Sequence, residues 1–221
     1  MREWDALRAI VRQRLPDRTP LVIVRAFPIT LVFLTIITGV GMLTARQTSA
    51  EHHHLLERYG FDYDMLRAGQ LHHLLTGMFV QSEPGIAASM LVLVATALAP
   101  CELLAGSRRT LIAMLVCDWL SSLLTVLALR GLSGLGVTEA TRLLHVADAG
   151  SSAAAHGAYA VAATLLPGRL AAVAYGVLVA MTVVLLFQQS LPAALAHLFA
   201  VLIGGALGWC WRDASLSRHM A

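Results

Sequence analysis

Apolar residues are grouped along this chain into long blocks that are almost free of charge, not spread at the regular spacing of an amphipathic helix or strand. Each block holds about 20 residues, the length that an α-helix needs to cross a bilayer core of about 30 Å. We therefore predict six membrane-spanning helices. Their ranges are Ala26–Ala45, Pro84–Leu104, Thr110–Leu129, Asp148–Pro167, Arg169–Phe187 and Leu191–Trp211.

The composition agrees with an all-α integral membrane protein. Only 13% of the residues are charged, against about 25% in ordinary soluble domains, so too few charges are present to solvate six apolar helices. The first block is longer than the apolar core of a signal peptide, which has about 7–15 residues. We therefore interpret it as a retained span.

Arginine, the only basic residue apart from histidine, is distributed unevenly between the predicted loops. One side of the membrane receives Arg2, Arg8, Arg12, Arg14, Arg18, Arg25, Arg108, Arg109, Arg169, Arg212 and Arg218. The other side receives Arg46, Arg58, Arg67, Arg130 and Arg142, spread over longer segments. The positive-inside rule then places both termini in the cytoplasm. This asymmetry accounts for the basic isoelectric point, and without an aromatic-interleaved basic patch we expect no nucleic-acid partner.

The chain divides into an N-terminal segment (1–25), a membrane domain (26–211) and a cytoplasmic tail (212–221). Helical spacing of apolar residues in the first segment fits either a basic amphipathic helix on the cytoplasmic leaflet or a solvated tail. The residues concerned are Trp4, Leu7, Val11 and Leu15. The outer loop 46–83 is too apolar to be free in solvent, so we expect an in-plane or partly inserted segment there.

Polar residues within spans are costly and indicate function. Ser152 in the fourth span and His197 in the sixth lie roughly 6–9 Å below the outer ends of their spans, at 1.5 Å per residue. Ser89 in the second span lies at a similar depth. A hydroxyl beside an imidazole can perform serine chemistry, with the histidine as general base. Taken singly, Ser152 is better explained by helix packing than by catalysis, whereas an interhelical hydrogen bond explains His197 as well as catalysis does.

Four sequence motifs support the catalytic interpretation through a resemblance. They are the loop-one stretch 68–79, Glu102 with Gly106 and Arg109, Gly150–Ser151–Ser152–Ala153 with Gly157, and Ala196–His197 followed by Gly204 and Gly208. In this order they resemble the rhomboid family of intramembrane serine proteases in its six-span form. The resemblance implies Ser152 as nucleophile, His197 as general base, and a small-residue ridge on the sixth helix that packs closely on the fourth.

Other positions depart from the rhomboid pattern. His72–His73 stands where loop one normally has Trp-Arg, and Ala153 replaces the glycine that commonly follows the nucleophile. The oxyanion residues of span two correspond to Gly85 and Ser89. Losing one oxyanion donor costs about 10²–10³ in rate. We expect oxyanion or support roles for Gly150, Ser89 and His156.

Three polar residues have alternative roles. His156 replaces an aromatic residue, and it either assists the Ser152–His197 pair or fills the aromatic position and bonds a neighbouring helix. Asp148 has two alternative roles. It shares a helix face with Ser152 and His156 at a spacing of four residues, which suits it to orient an imidazole. It also stands at the start of the fourth helix, where an N-cap belongs. Asp118 lies near the middle of the third span, with no partner evident from the sequence.

The sequence predicts no cofactor and no metal site. The histidine runs His52–His54 and His72–His73 lack carboxylate or cysteine partners at ligand spacing. The three cysteines, Cys101, Cys117 and Cys210, fall within spans and are expected to be small buried residues.

Three functions follow as alternatives. The first is a rhomboid-like endopeptidase of the bacterial plasma membrane that cleaves transmembrane segments of other proteins. The second is a catalytically silent relative that binds membrane clients. The third is a small-solute transporter, suggested by Asp118 and Asp148 but weakened by the absence of an inverted repeat.

Overall fold

A computed structural model describes residues 2–16, 19–81 and 87–219, and it is about 80% helical with no strand among these residues. Twelve helices follow one another in this part of the chain. They are α1 (Arg2–Arg14), α2 (Pro20–Ala26), α3 (Pro28–Thr44), α4 (Ser49–Tyr59), α5 (Tyr63–Arg67), α6 (His73–Gly77), α7 (Ala87–Ala105), α8 (Ser107–Gly134), α9 (Thr138–Leu143), α10 (Ser152–Leu165), α11 (Arg169–Leu185) and α12 (Leu191–His219).

Helices α7, α8 and α12 are long and apolar enough to cross a membrane. The bent pair of α2 and α3 raises the number to four among the described residues, if the pair is counted as one span. Helix α11 has 17 residues and α10 has 14. Because α10 is then roughly 21 Å long, it is shorter than a bilayer core. The chain is thus a helical protein suited to membrane association.

The first predicted span is interrupted at Phe27, where α2 and α3 meet at 88°. Pro28 has no N–H to continue the helical ladder, and its ring disfavours helical backbone at the preceding residue. Phe27 accordingly adopts φ −130° and ψ 42°. The predicted span Ala26–Ala45 therefore corresponds to α3 alone, and Ala26 ends the preceding helix.

The carboxylate of Glu102, from α7, caps the start of α3. It is almost fully buried and accepts hydrogen bonds from the N–H groups of Ile29 and Thr30 at 3.0 and 2.9 Å, and from the Thr30 hydroxyl at 2.7 Å. The two N–H groups have no acceptor within α3, because they lie in its first turn. The buried glutamate therefore joins α3 to α7.

The described part of the loop between α3 and α7, residues 46–81, folds into the short helices α4, α5 and α6. Thr48 and Glu51 form a reciprocal capping box at the start of α4, and Asp62 caps α5. Phe61 and Leu74 are buried in a cluster with residues of α8 and α9. The loop therefore packs on the helical bundle through these apolar residues.

Helix α10 lies at the centre of the bundle and packs against α7, α8, α11 and α12. Its alanines are buried on all sides of the helix. Small side chains allow close approach, and this is clearest against α12. A Cβ added at Gly204 would overlap the backbone of Gly157, and one added at Gly208 would overlap Thr164.

Candidate functional site

The local backbone places Ser152 at the first helical position of α10. Gly150 has φ +127°, which side chains disfavour, and its N–H donates to the carbonyl of Gly77 at 2.9 Å. The chain turns there and the helix begins directly afterwards, with Ser151 as N-cap. Gly150 thus supports the position of Ser152 through its backbone.

The side chain of Asp148 does not cap α10, so one of its two predicted roles is wrong. Its backbone pairs with Phe61 through two hydrogen bonds of 2.9 and 3.1 Å. This pairing holds Asp148 in extended backbone, so the helix starts four residues later than predicted. Asp148 therefore does not share a helix face with Ser152 and His156, and its Oδ1 accepts from the N–H of Ala149 at 3.0 Å.

Ser152 and His197 are hydrogen-bonded to each other. The distance from Ser152 Oγ to His197 Nε2 is 2.9 Å. His197 is buried, and Ser152 is half-buried. Ala153 packs with Ala196 and Ala200 of α12, and these small residues let the two helices approach closely enough for this bond.

Gln189 orients the imidazole of His197. Its Oε1 lies 2.8 Å from His197 Nδ1. An amide oxygen only accepts hydrogen bonds, so Nδ1 carries the proton and donates it. In the neutral ring Nε2 is then the acceptor, and the Ser152 hydroxyl donates to it. This is the tautomer that a general base requires.

His156 stacks on His197, with ring centroids 4.0 Å apart and planes 16° from parallel. The ring of His156 therefore packs against the imidazole of His197, as the aromatic residue that it replaces in the rhomboid pattern is expected to do. Its Nδ1 donates to the carbonyl of Ser152 at 2.8 Å. The predicted bond to a neighbouring helix is wrong, because the spacing of four residues brings this carbonyl of its own helix within reach.

The N-terminal turn of α10 supplies backbone donors next to the Ser152 hydroxyl. The N–H groups of Ser152 and Ala153 have no acceptor within the helix. Asp118 of α8 interacts with the N–H of Ala154 in the same turn. This contact accounts for a carboxyl group near the middle of a span, for which the sequence indicated no partner.

A cavity of about 220 Å³ adjoins the serine and histidine side chains. Its walls also include Asp118, Asp148 and His73. Ser89 lies in α7, is exposed, and is not among the lining residues that the structure describes. Gly85 lies outside the described residues. The oxyanion support expected from span two is therefore not brought to this cavity by Ser89.

Gln189 and His73 are the site residues that sequence reasoning missed. Gln189 lies in the turn between α11 and α12, where one polar residue among several carries no periodic signal. From the sequence, His73 is only a departure from the rhomboid pattern and a member of a histidine run without ligand partners. The one available signal was the position of Gln189 two residues before the helix that holds His197.

The described residues contain no group of three or more histidine, cysteine or acidic side chains that could hold a metal ion. His52 is buried and its Nε2 donates to the carbonyl of Gln81 at 2.9 Å, whereas His53 and His54 are exposed near Glu57. Cys101 and Cys117 are buried as expected, but Cys210 is exposed because it lies on an outward face of α12.

Comparisons with family models, with curated proteins and with solved structures gave no match to this chain.

Proposed function

We propose that the chain is a rhomboid-like intramembrane serine endopeptidase with six spans and both termini in the cytoplasm. Its substrates are transmembrane segments of other proteins in a bacterial plasma membrane. Ser152 is the nucleophile and His197 the general base. The arginine asymmetry and the apolar helices support this topology.

One observation carries the proposal, namely the hydrogen-bonded chain from Ser152 through His197 to Gln189. A serine in a membrane helix ordinarily bonds a carbonyl of its own helix. Here its hydroxyl donates to an imidazole whose other nitrogen is held by an amide oxygen. Nucleophile, base and orienting group are the three parts of an activated serine.

The geometry suggests how peptide cleavage proceeds. Ser152 Oγ attacks the scissile carbonyl carbon while its proton passes to His197 Nε2. The tetrahedral intermediate collapses when the peptide C–N bond breaks, and His197 returns the proton to the leaving amine. Water then attacks the acyl ester, again with His197 as base, and releases the acid and free Ser152.

Negative charge on the carbonyl oxygen would be stabilised at the N-terminus of α10. The N–H groups of Ser152 and Ala153 are the available donors, and the helix dipole adds to their effect. Without a donor from Ser89 we expect slow turnover, because a missing oxyanion donor costs about 10²–10³ in rate.

The test is cleavage in proteoliposomes that contain single-span membrane proteins. We expect wild type to generate new N-termini within the outer half of the substrate span. Ser152→Ala and His197→Ala should give none while unfolding at the same temperature as wild type. Cleavage by Ser152→Ala at the wild-type rate would refute the assignment.

A catalytically silent client-binding protein is the second candidate. The exposed position of Ser89, away from the cavity, favours it because the site then has few side-chain donors for an oxyanion. This candidate predicts that membrane proteins co-purify with the chain, that wild type leaves them intact, and that Ser152→Ala binds them equally well.

A further inference from the structure

A second cavity, of about 340 Å³, lies where α1, α2 and the turn from α7 to α8 meet. Among the described residues, it shares no lining residue with the cavity at Ser152. Arg14 from α1 and Arg25 from α2 both line it, and both residues are exposed. A cleft lined by charges of one sign concentrates ions of the opposite sign, so this cavity is suited to an anion.

Neither arginine has a counter-ion in the described part of the chain. The ion pairs found there include neither Arg14 nor Arg25. Glu102 is the one acid in the described wall of the cavity, but it is 1% exposed and accepts three hydrogen bonds from α3. Its carboxylate is thus engaged at the start of α3, and the two guanidinium groups can bind an anion from outside.

Helix α1 contacts the bundle near both of its ends, so the cavity is part of the folded structure. In its first turn, Glu3 Oε1 accepts a hydrogen bond at 2.6 Å from the N–H of Arg169, at the start of α11. At its last residue, Arg14 Nη2 lies 3.7 Å from the position that a Cβ on Gly106 would occupy. These two contacts hold Arg14 in the cavity wall.

Exposed apolar side chains of α2 adjoin the cavity. Leu21 and Val24 are 59% and 54% exposed, and no residue of this helix is buried. Their neighbours Val22 and Arg25 line the cavity. Exposed apolar side chains beside basic ones mark surfaces that contact lipid. A free phosphate ion would leave these side chains without a partner, whereas a phospholipid supplies both a phosphate group and acyl chains.

We propose that this cavity binds the phosphate group of an anionic phospholipid, whose acyl chains lie on α2. Arg14 and Arg25 bind the phosphate oxygens, because the planar guanidinium matches the geometry of phosphate. In the proposed topology this lipid belongs to the cytoplasmic leaflet, where anionic lipids attract basic segments. The lipid site involves neither Ser152 nor His197.

Binding is tested on the detergent-solubilised full chain with dihexanoylphosphatidylglycerol, dihexanoylphosphatidylcholine and inorganic phosphate. The two lipids have the same chains and differ in net charge, whereas phosphate has no chains. We expect the anionic lipid to bind about tenfold more tightly than either of the others, measured by the rise in unfolding temperature with ligand concentration. Equal binding of the two lipids, or phosphate binding as tight as that of the anionic lipid, would overturn the proposal.

Arg14→Gln and Arg25→Gln should each weaken binding of the anionic lipid about fivefold. Arg12→Gln is the matched control, because Arg12 is exposed on the same helix as Arg14 but does not line the cavity. Without ligand, all three variants should unfold at the temperature of wild type. An equal loss of affinity in Arg12→Gln would show attraction to surface charge in general and would overturn the site.

Leu21→Ser tests the contact between α2 and the acyl chains. It should weaken binding of the anionic lipid, because apolar area then stays in water, and it should leave phosphate binding unchanged. The control is Leu135→Ser, since Leu135 is 82% exposed at the opposite end of α8. Equal lipid affinities of the two variants would overturn the contact with α2.

A fluorophosphonate, which labels activated serines, separates this inference from the proposed function. Ser152→Ala cannot react with it and should still bind the anionic lipid like wild type. Wild type that binds the lipid but is not labelled would refute the proposed function and leave the lipid site standing. Labelling of Ser152 without a preference for the anionic lipid would overturn the lipid site alone.

Discussion

At the scale of single residues, the arrangement around His197 separates this site from ordinary membrane-helix packing. Threonines elsewhere in the chain, such as Thr35 and Thr38, bond carbonyls of their own helix. Ser152 instead bonds an imidazole on another helix. That imidazole is held on one side by Gln189 and on its face by His156. These two contacts restrict the ring to the orientation that keeps Nε2 on Ser152.

Gln189→Leu tests the orienting role. Without the amide oxygen Nδ1 loses its acceptor, so the tautomer that accepts from Ser152 is no longer favoured. We expect fluorophosphonate labelling to slow by about 10–100-fold, in line with 1.5–3 kcal/mol for one charge-assisted hydrogen bond. Gln189→Glu keeps an acceptor and should restore labelling.

The control for this substitution is Gln188→Leu. Gln188 is exposed in the same turn, so its replacement changes the composition of the turn without touching His197. Equal labelling rates for Gln188→Leu and Gln189→Leu, or no rescue by Gln189→Glu, would show that Gln189 does not orient the base.

The sequence indicates Ser152 and His197 as a candidate pair, because polar side chains in apolar spans are few and their depths can be compared. It could not select Gln189, because turn residues are set by the path of the chain between helices. It also placed the start of the fourth helix at Asp148, four residues too early, because the pairing of Asp148 with Phe61 joins segments far apart in sequence.

At the scale of helices, contact between α10 and α12 determines whether the serine and the histidine meet. Gly157 and Gly204 face each other without intervening side chains. The ridge of small residues expected on the last helix is present there. The break at Phe27 and the late start of α10 differ from the predicted boundaries, since hydropathy records apolar content and not the local backbone.

Gly204→Val should separate these helices. The added atoms would overlap the backbone of Gly157, and overpacking of this kind costs about 1–3 kcal/mol. We expect a lower unfolding temperature together with slower labelling of Ser152, measured on the same preparation. The matched control is Gly176→Val on α11, where nothing lies within 4 Å of an added Cβ. Equal stability of the two variants would contradict close packing at Gly204.

At the scale of the whole molecule, the distribution of arginine and of apolar blocks is the basis of the proposed topology. Composition alone indicates a membrane protein, and three or four of the described helices meet the length requirement as they stand. The predicted number of six includes α10 and α11, which are shorter. The length and composition of a single helix do not decide whether a short helix crosses the membrane. Neighbouring helices and local thinning of the bilayer also accommodate short spans.

The proposed topology, with loop 46–83 outside and the N-terminus in the cytoplasm, predicts different accessibility for two exposed positions. His54→Cys lies in the outer loop and should react with a membrane-impermeant maleimide in intact cells. Arg12→Cys lies before the first span and should react only after permeabilisation. The unsubstituted chain provides the background from its own cysteines. Labelling of Arg12→Cys in intact cells would contradict a cytoplasmic N-terminus.

The central claim is that Ser152 is an activated nucleophile, and labelling of the folded protein tests it most directly. The purified chain is treated with a fluorophosphonate, and the modified residue is identified by mass spectrometry of its peptides. We predict a single adduct on Ser152, absent in His197→Ala although that variant keeps the hydroxyl. An unmodified Ser152 in folded wild type, or equal modification in His197→Ala, would contradict the account.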